Sequence, residues 1–170
     1  MAGGISGPNL VSTVIEQSAL GFLAAGYLSA EKLEQHILEV KSKSKRVFGI
    51  NLFMVDSTQI NACIKPKNIC DLEKELGIYN DDSLNIKINE ENEEKIALIL
   101  KHKIKFVSFT FGVPPQKWIE TLKQNNVYLI GHCTNLLEAK KFEAAGFNAI
   151  VAQGVEAGGH RGSFLDRKSV

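Results

Sequence analysis

The residues best suited to chemistry lie near the end of this 170-residue chain, in the run Gln153-Gly154-Val155-Glu156-Ala157-Gly158-Gly159-His160-Arg161-Gly162. Its four glycines let backbone pass close to a ligand and present N–H groups to it. Histidine as a residue type ionises near neutral pH, which makes His160 a candidate for proton transfer. Arg161 adds a fixed positive charge. A flexible Gly-rich turn with an exposed histidine is the plainer alternative. Asn51 and Gln153 interrupt otherwise apolar runs at what read as equivalent strand ends. An unpaired buried amide costs ~1–3 kcal/mol, so each is either satisfied inside the fold or meets a ligand. Of the other histidines, His36 on a helical stripe and His102 near a helix end read as structural. His132, at the end of an apolar run, is open to either reading.

What is missing narrows the chemistry. The strand ends offer Asn51, Ser108, Thr110, Gly112, His132, Cys133, Thr134 and Gln153, nearly all neutral and hydrogen-bonding. They include no pair of carboxylates for glycoside hydrolysis, no His-x-x-x-His or carboxylate pair for a metal, and no Gly-x-Ser-x-Gly nucleophile. Such a set suits a flat organic cofactor whose polar edge needs amide donors and acceptors.

These groups must be positioned by an alternation of short β-like runs and amphipathic helices. Pro8 opens a helix over 8–18. Leu20–Ala25 is a short apolar strand. Ser29 caps a helix whose Leu33, His36, Ile37 and Val40 form one stripe at i, i+3, i+4, i+7. Val47–Val55, Lys105–Phe111, Val127–Cys133 and Ala149–Gln153 are further strands. Helices between them cover Asn68–Leu76, ended by Gly77, a segment from Ile96 to about His102, a segment started by Pro114-Pro115 with Trp118, Ile119 and Leu122 facing inward, and one capped by Asn135 and ended by Gly146. Strand ends recur after 26 residues from Ala25 to Asn51, 22 from Thr110 to His132 and 21 from His132 to Gln153. A strand, crossover helix and return strand in ~20–30 residues is the βαβ unit of a parallel sheet. The 59 residues from Asn51 to Thr110 hold an insertion. An open doubly wound sheet and a barrel both fit this pattern. The Gly-x-Gly-x-x-Gly fingerprint is absent after the first strand, which leans towards the barrel.

Composition is that of an ordinary globular chain, 44% hydrophobic and 23% charged, with a net charge of +1. That charge gives no case for nucleic acid or an anionic membrane surface. The basic run Lys41–Arg46 and the acidic run Glu90–Glu94 read as solvated helix ends or loops. Cys63, Cys70 and Cys133 form no even framework and read as thiols of a reducing compartment. No apolar run reaches the ~20 residues needed to span a bilayer. A cytoplasmic location is expected.

The segment Ala152–Gly162 resembles the hallmark of nitronate monooxygenases, also called 2-nitropropane dioxygenases. Four other motifs match that family in the same order: Met1-Ala2-Gly3-Gly4-Ile5-Ser6, Gly21–Leu28, Asn51-Leu52-Phe53 and Ser108–Gly112. The match runs nearly end to end, with 56–100 the divergent part.

The resemblance implies an FMN-containing α/β protein, here an incomplete (β/α)8 TIM barrel of about five to six βα units. It implies one domain over 1–170, and oxidation of alkyl nitronates or nitroalkanes with O2 to a carbonyl compound and nitrite. Asn51, Gln153 and Gly158, with Gly159 beside it, fall on FMN-contact positions, and Met1, Ala2 and Gly3 on the turn against the flavin. His160 falls on the proposed base for the α-proton of a nitroalkane. Two alternatives follow: an FMN-dependent enoyl-acyl-carrier-protein reductase, which carries a similar Gly-Gly-His loop, and a non-catalytic barrel fragment. A complete barrel needs ~250 residues, so the chain is expected to be truncated at both ends. The family's strand before Met1 and the glycine-rich phosphate turns after strands seven and eight are not in it. A homo-oligomer or a complementing C-terminal fragment is the partner this implies. Gly131-His132 departs from the small residues expected at that strand end.

Overall fold

Short apolar runs rich in Val, Ile, Leu and Phe pair side by side to form one parallel sheet, and amphipathic helices return the chain between them. A computed structural model describes residues 4–55, 67–77 and 91–165. They fall into two compact units, 1–55 with 89–170, and 56–88. In the smaller unit the described residues form one helix, α3 (Lys67–Glu75), followed by Gly77 at φ +64°.

The larger unit runs α1 (Pro8–Glu16), β1 (Phe22–Ala24), α2 (Ala30–Lys43), β2 (Gly49–Phe53), α4 (Asn92–Lys101), β3 (Phe106–Thr110), α5 (Gln116–Gln124), β4 (Tyr128–Cys133), α6 (Leu136–Ala144) and β5 (Ala149–Ala152). Local chemistry sets these limits. Pro8 occupies the first turn of α1. The Ser29 hydroxyl accepts from the Lys32 amide at 3.1 Å, capping α2. Asn135 does the same for α6, accepting from the Glu138 amide at 3.0 Å. Gly146, at φ +78°, takes the left-handed turn that ends α6.

The strand order is β1-β2-β3-β4-β5, every pair parallel. Each crossover therefore moves one strand in the same direction. A doubly wound sheet reverses its order at a switch point; here none occurs, which is the progression of a (β/α)8 barrel.

Alternation along the strands gives the sheet two unlike faces. Ile50, Leu52, Val107, Phe109 and Leu129 share a buried cluster with Leu33, Ile37, Ile99, Ile119 and Leu122 of the helices. Asn51, Ser108, Thr110 and His132 alternate with them and occupy the other face. Aromatic rings fill notches at glycines in this packing. A Cβ on Gly131 would overlap the Phe142 ring, one on Gly49 the Phe22 ring, and one on Gly26 the Phe53 ring. β5 is less covered, with Ile150 and Val151 about half exposed.

One buried carboxylate fastens the chain beyond β5. Glu138, wholly shielded from solvent, accepts at Oε2 from the Thr134 amide at 2.7 Å and the Thr134 hydroxyl at 2.9 Å. At Oε1 it accepts from the Phe164 amide at 2.7 Å, the Leu165 amide at 3.1 Å and the Ser163 hydroxyl at 3.1 Å. Burial raises its pKa, but the hydrogen bonds from Phe164, Thr134 and Leu165 outweigh this and hold it below the usual glutamate value. Phe164 also packs edge-on against Phe142 at 5.5 Å.

A carboxyl with a depressed pKa contributes stability above the unfolded value of ~4.3, lost as pH falls through the folded value. Glu138→Gln is expected to lower stability by ~1–3 kcal/mol in urea unfolding at pH 7, because an NH2 replaces one acceptor oxygen. It should also speed hydrogen exchange at the Phe164 and Leu165 amides and weaken the acid-induced loss of stability. Gly131→Val is expected to cost ~1–3 kcal/mol by overpacking against Phe142, seen as a lower unfolding midpoint with unchanged slope.

Candidate functional site

The C-terminal ends of parallel strands gather side chains from separate elements, and two groups of them meet here. The first is polar. β2 carries Asn51, in register with Ser108 of β3. The Ser108 hydroxyl donates to Asn51 Oδ1 at 2.7 Å and the Thr110 hydroxyl donates to the same atom at 3.1 Å. With its oxygen so engaged, Asn51 has its NH2 left to give, and among the described residues no hydrogen bond uses it. Thr110 Oγ1 lies 3.5 Å from His132 Nδ1. The Thr110 proton is already directed at Asn51, so this long contact favours a proton on His132 Nδ1. Burial lowers the His132 pKa, with Glu138 opposing weakly, so its ring tends to neutrality.

The second group is aromatic and surrounds His160. Tyr27 Oη lies 2.9 Å from His160 Nε2. The rings of Tyr27, Phe53 and Phe111 sit 6.1, 6.2 and 6.0 Å from the imidazole. Phe53 in turn meets Tyr27 at 5.3 Å and Phe111 at 4.8 Å, both edge-to-face. Phe111 has φ +72°, a left-handed conformation that costs a bulky side chain of order 1–3 kcal/mol. That strain places its ring in the cluster.

Gln153 joins the loop to the sheet. Its amide N–H donates to the Cys133 carbonyl at 2.8 Å, continuing the β4–β5 ladder. Its side chain spans the loop base: Nε2 donates to the His160 carbonyl at 2.9 Å, and Oε1 accepts from the Gly162 amide at 2.8 Å. Gly162 lies so close to His132 that a Cβ there would stand 3.3 Å from the ring. The base of the loop thus lies against His132.

Several residues expected from sequence therefore come together. Asn51, Gln153 and His160 belong to one connected region, with Ser108, Thr110 and His132 between them. The two carboxamides are not equivalent, though: the register Asn51–Ser108–Ile130–Ala149 puts Asn51 level with Ala149, not Gln153. Gly158 and Gly159 lie in the exposed loop, and a Cβ on either would meet nothing within 4 Å. Gly159 has φ +84°. Met1, Ala2 and Gly3 lie outside the described residues, as does Cys63.

Sequence reasoning missed the Tyr27 contact, the Phe53 and Phe111 walls, Glu138 and Lys95. Asn135-x-x-Glu138 is a capping-box pattern that could have flagged Glu138. The others depend on contacts between distant segments. Lys95 of α4 is fully buried, its Nζ donating to the Ala25 carbonyl at 3.3 Å, and burial lowers its pKa. Among the described residues no cluster of three or more His, Cys, Asp or Glu could hold a metal, and no helix is long and apolar enough to cross a membrane.

Known proteins resemble this chain in sequence and fold. The family model described as nitronate monooxygenase matches residues 1–169. A probable nitronate monooxygenase of Bacillus subtilis (strain 168) is 41% identical over 172 residues, covering 99% of this chain and 48% of that protein. One of Staphylococcus aureus (strain N315) is 41% identical over 180 residues with the same coverage. Among solved structures, nitroalkane oxidase from Streptomyces ansochromogenes superposes with a TM-score of 0.86 at 34% identity, over 99% of this chain and 48% of its own. FabK from Thermotoga maritima, at 24% identity and a TM-score of 0.70 over 96% of this chain and 42% of its own, shares the fold. The chain spans about half the length of the curated relatives it matches. With nearly every residue inside the family match and the βα progression intact, the chain belongs to the nitronate monooxygenase family.

Proposed function

We propose that this chain contributes the proton-transfer half of an FMN-dependent site that oxidises alkyl nitronates or nitroalkanes with O2 to a carbonyl compound and nitrite. The observation that carries this is His160, held by Tyr27 and by the Gln153 clasp against an aromatic wall at the strand ends. Residues 1–170 form part of one (β/α)8 domain in this proposal, with 56–100 its divergent segment, acting in the cytoplasm. The exposed Ile150 and Val151 of β5 support completion of the barrel by further βα units, in this chain or in a partner.

The donor set suits a flavin. The Asn51 NH2, oriented by Ser108 and Thr110, offers a donor to a polar ring edge. Gly158 and Gly159 leave the loop backbone open to close approach. Met1, Ala2 and Gly3 complete the contact in this proposal. FMN, when bound, supplies the redox chemistry with O2. The chain's own residues handle the proton: a neutral nitroalkane loses its α-proton to an imidazole nitrogen of His160, leaving the nitronate and an imidazolium. Tyr27 fixes one ring nitrogen and so acts as a positioning residue. A nitronate arrives without that proton and makes no demand on His160.

Nitrite release therefore separates the two substrates. His160→Ala is expected to lower kcat/KM on a nitroalkane ~10²–10⁴-fold, the usual worth of a positioned base, and to change the rate on the matching nitronate far less. Equal losses on both substrates would exclude His160 as the base. Tyr27→Phe should give a smaller loss on the nitroalkane and little change on the nitronate. The purified protein is expected to show flavin absorbance or to bind added FMN, and Asn51→Ala to weaken that binding. A protein that takes up no FMN would sink the flavin assignment, as NADH oxidation with an enoyl thioester would sink the nitronate one.

A further inference from the structure

The end of the sheet opposite His160 carries a hollow. The turns leading into β2 and β3 form a half-open depression of about 330 Å3 there, at the lower end of the ~300–1,000 Å3 of small-molecule sites. Lys41, Lys45, Arg46, Lys103 and Lys105 line it with His102, and no carboxylate is among its lining residues. The whole chain has a net charge of only +1, so these five fixed charges are a strong local excess.

Neighbouring lysines are neutralised: Lys43 pairs with Glu39 at 2.5 Å and Lys101 with Glu34 at 2.8 Å. Within the hollow, Arg46 lies 3.9 Å from Glu16 and donates to the Ser18 hydroxyl at 2.9 Å. Lys45, Lys103 and Lys105 make no ion pair among the described residues. His102 is engaged at Nε2 with Glu34 at 2.8 Å.

The walls are held in place without a ligand. Lys103 sits in the left-handed region at φ +54°, and the Lys103 and Ile104 amides donate to Leu100 and Ile99 carbonyls at 3.0 Å. Lys41 Nζ donates to the His102 carbonyl at 2.7 Å, tying one turn to the other. The buried Ser44 hydroxyl bonds Glu16 and accepts from the Arg46 amide at 3.1 Å. Phe48 and Ile104 form a buried apolar floor, and Val47, 58% exposed, an apolar rim. Clustered like charges repel one another, and an anion relieves that repulsion.

We propose that this hollow is a binding site for a small organic phosphate, a di-anionic or more highly charged group joined to a flat or apolar portion of nucleotide size. Lys45, Lys103 and Lys105 meet the phosphate oxygens, and Val47 and Phe48 lie against the remainder. The site faces away from His160 and is independent of the chemistry proposed there.

Calorimetry at low ionic strength with ADP, pyrophosphate, citrate and a single-stranded RNA oligomer tests this. Saturable one-to-one binding of ADP is expected, weakened at least ten-fold by Lys103→Glu and by Lys45→Glu. Both positions are exposed, and circular dichroism checks that the variants fold. Pyrophosphate binding as tightly as ADP would place all the affinity in the phosphates and overturn the apolar contact. The phosphate assignment fails if ADP gives no saturable heat, if either charge reversal leaves its affinity unchanged, if citrate binds as tightly, or if only the RNA binds.

Discussion

Glu138 gathers hydrogen bonds from Thr134, Ser163, Phe164 and Leu165 onto one shielded carboxylate, and the position of the loop before Ser163 depends on it. A buried charge is costly unless its lone pairs are filled. Here backbone amides and hydroxyls fill them, so the charge is stable only when the segment after β5 lies against the start of α6. That condition anchors the far end of the glycine loop. Gln153 anchors the near end through His160 and Gly162. A loop with four glycines has little conformational preference of its own, and the two anchors supply it.

Size and shape constrain the same region through glycine. Gly26, Gly49 and Gly131 give way to the rings of Phe53, Phe22 and Phe142. The Phe53 ring fills the notch at Gly26 and also forms a wall beside His160. Packing of the sheet and placement of the imidazole are therefore one problem, not two. The strained Phe111 is held in the same cluster, where its contacts with Phe53 and His160 offset its backbone cost.

The two ends of the sheet differ in charge as well as shape. The strand-exit end is amide-rich, with an aromatic wall, a single loop histidine and few charges on the strands themselves. The strand-entry end is cationic and lined by turns that hydrogen bonds hold together. Parallel strands make this division possible, because every βα turn collects at one end and every αβ turn at the other.

Much of this was legible in the residues. The period of 3.6 gave the Leu33–Ile37–Val40 stripe, and cap chemistry at Ser29 and Asn135 set where α2 and α6 begin. Gly77 and Gly146 marked helix ends, and the Gln153–Gly162 run carried the family. Those signals span a turn or two of chain, so they survive without knowledge of the fold. The basic run Lys41–Arg46 is the solvated helix end that the sequence suggested, and only the fold brings Lys103 and Lys105 to the same hollow. Local pattern left barrel and doubly wound sheet both open; the family resemblance pointed to the barrel, and the strand order bears it out. The partners of Asn51, and the meeting of Tyr27 with His160, 133 residues apart, were decided only by tertiary structure. Each depends on strand order and register, and packing of the whole sheet, not local preference, determines those.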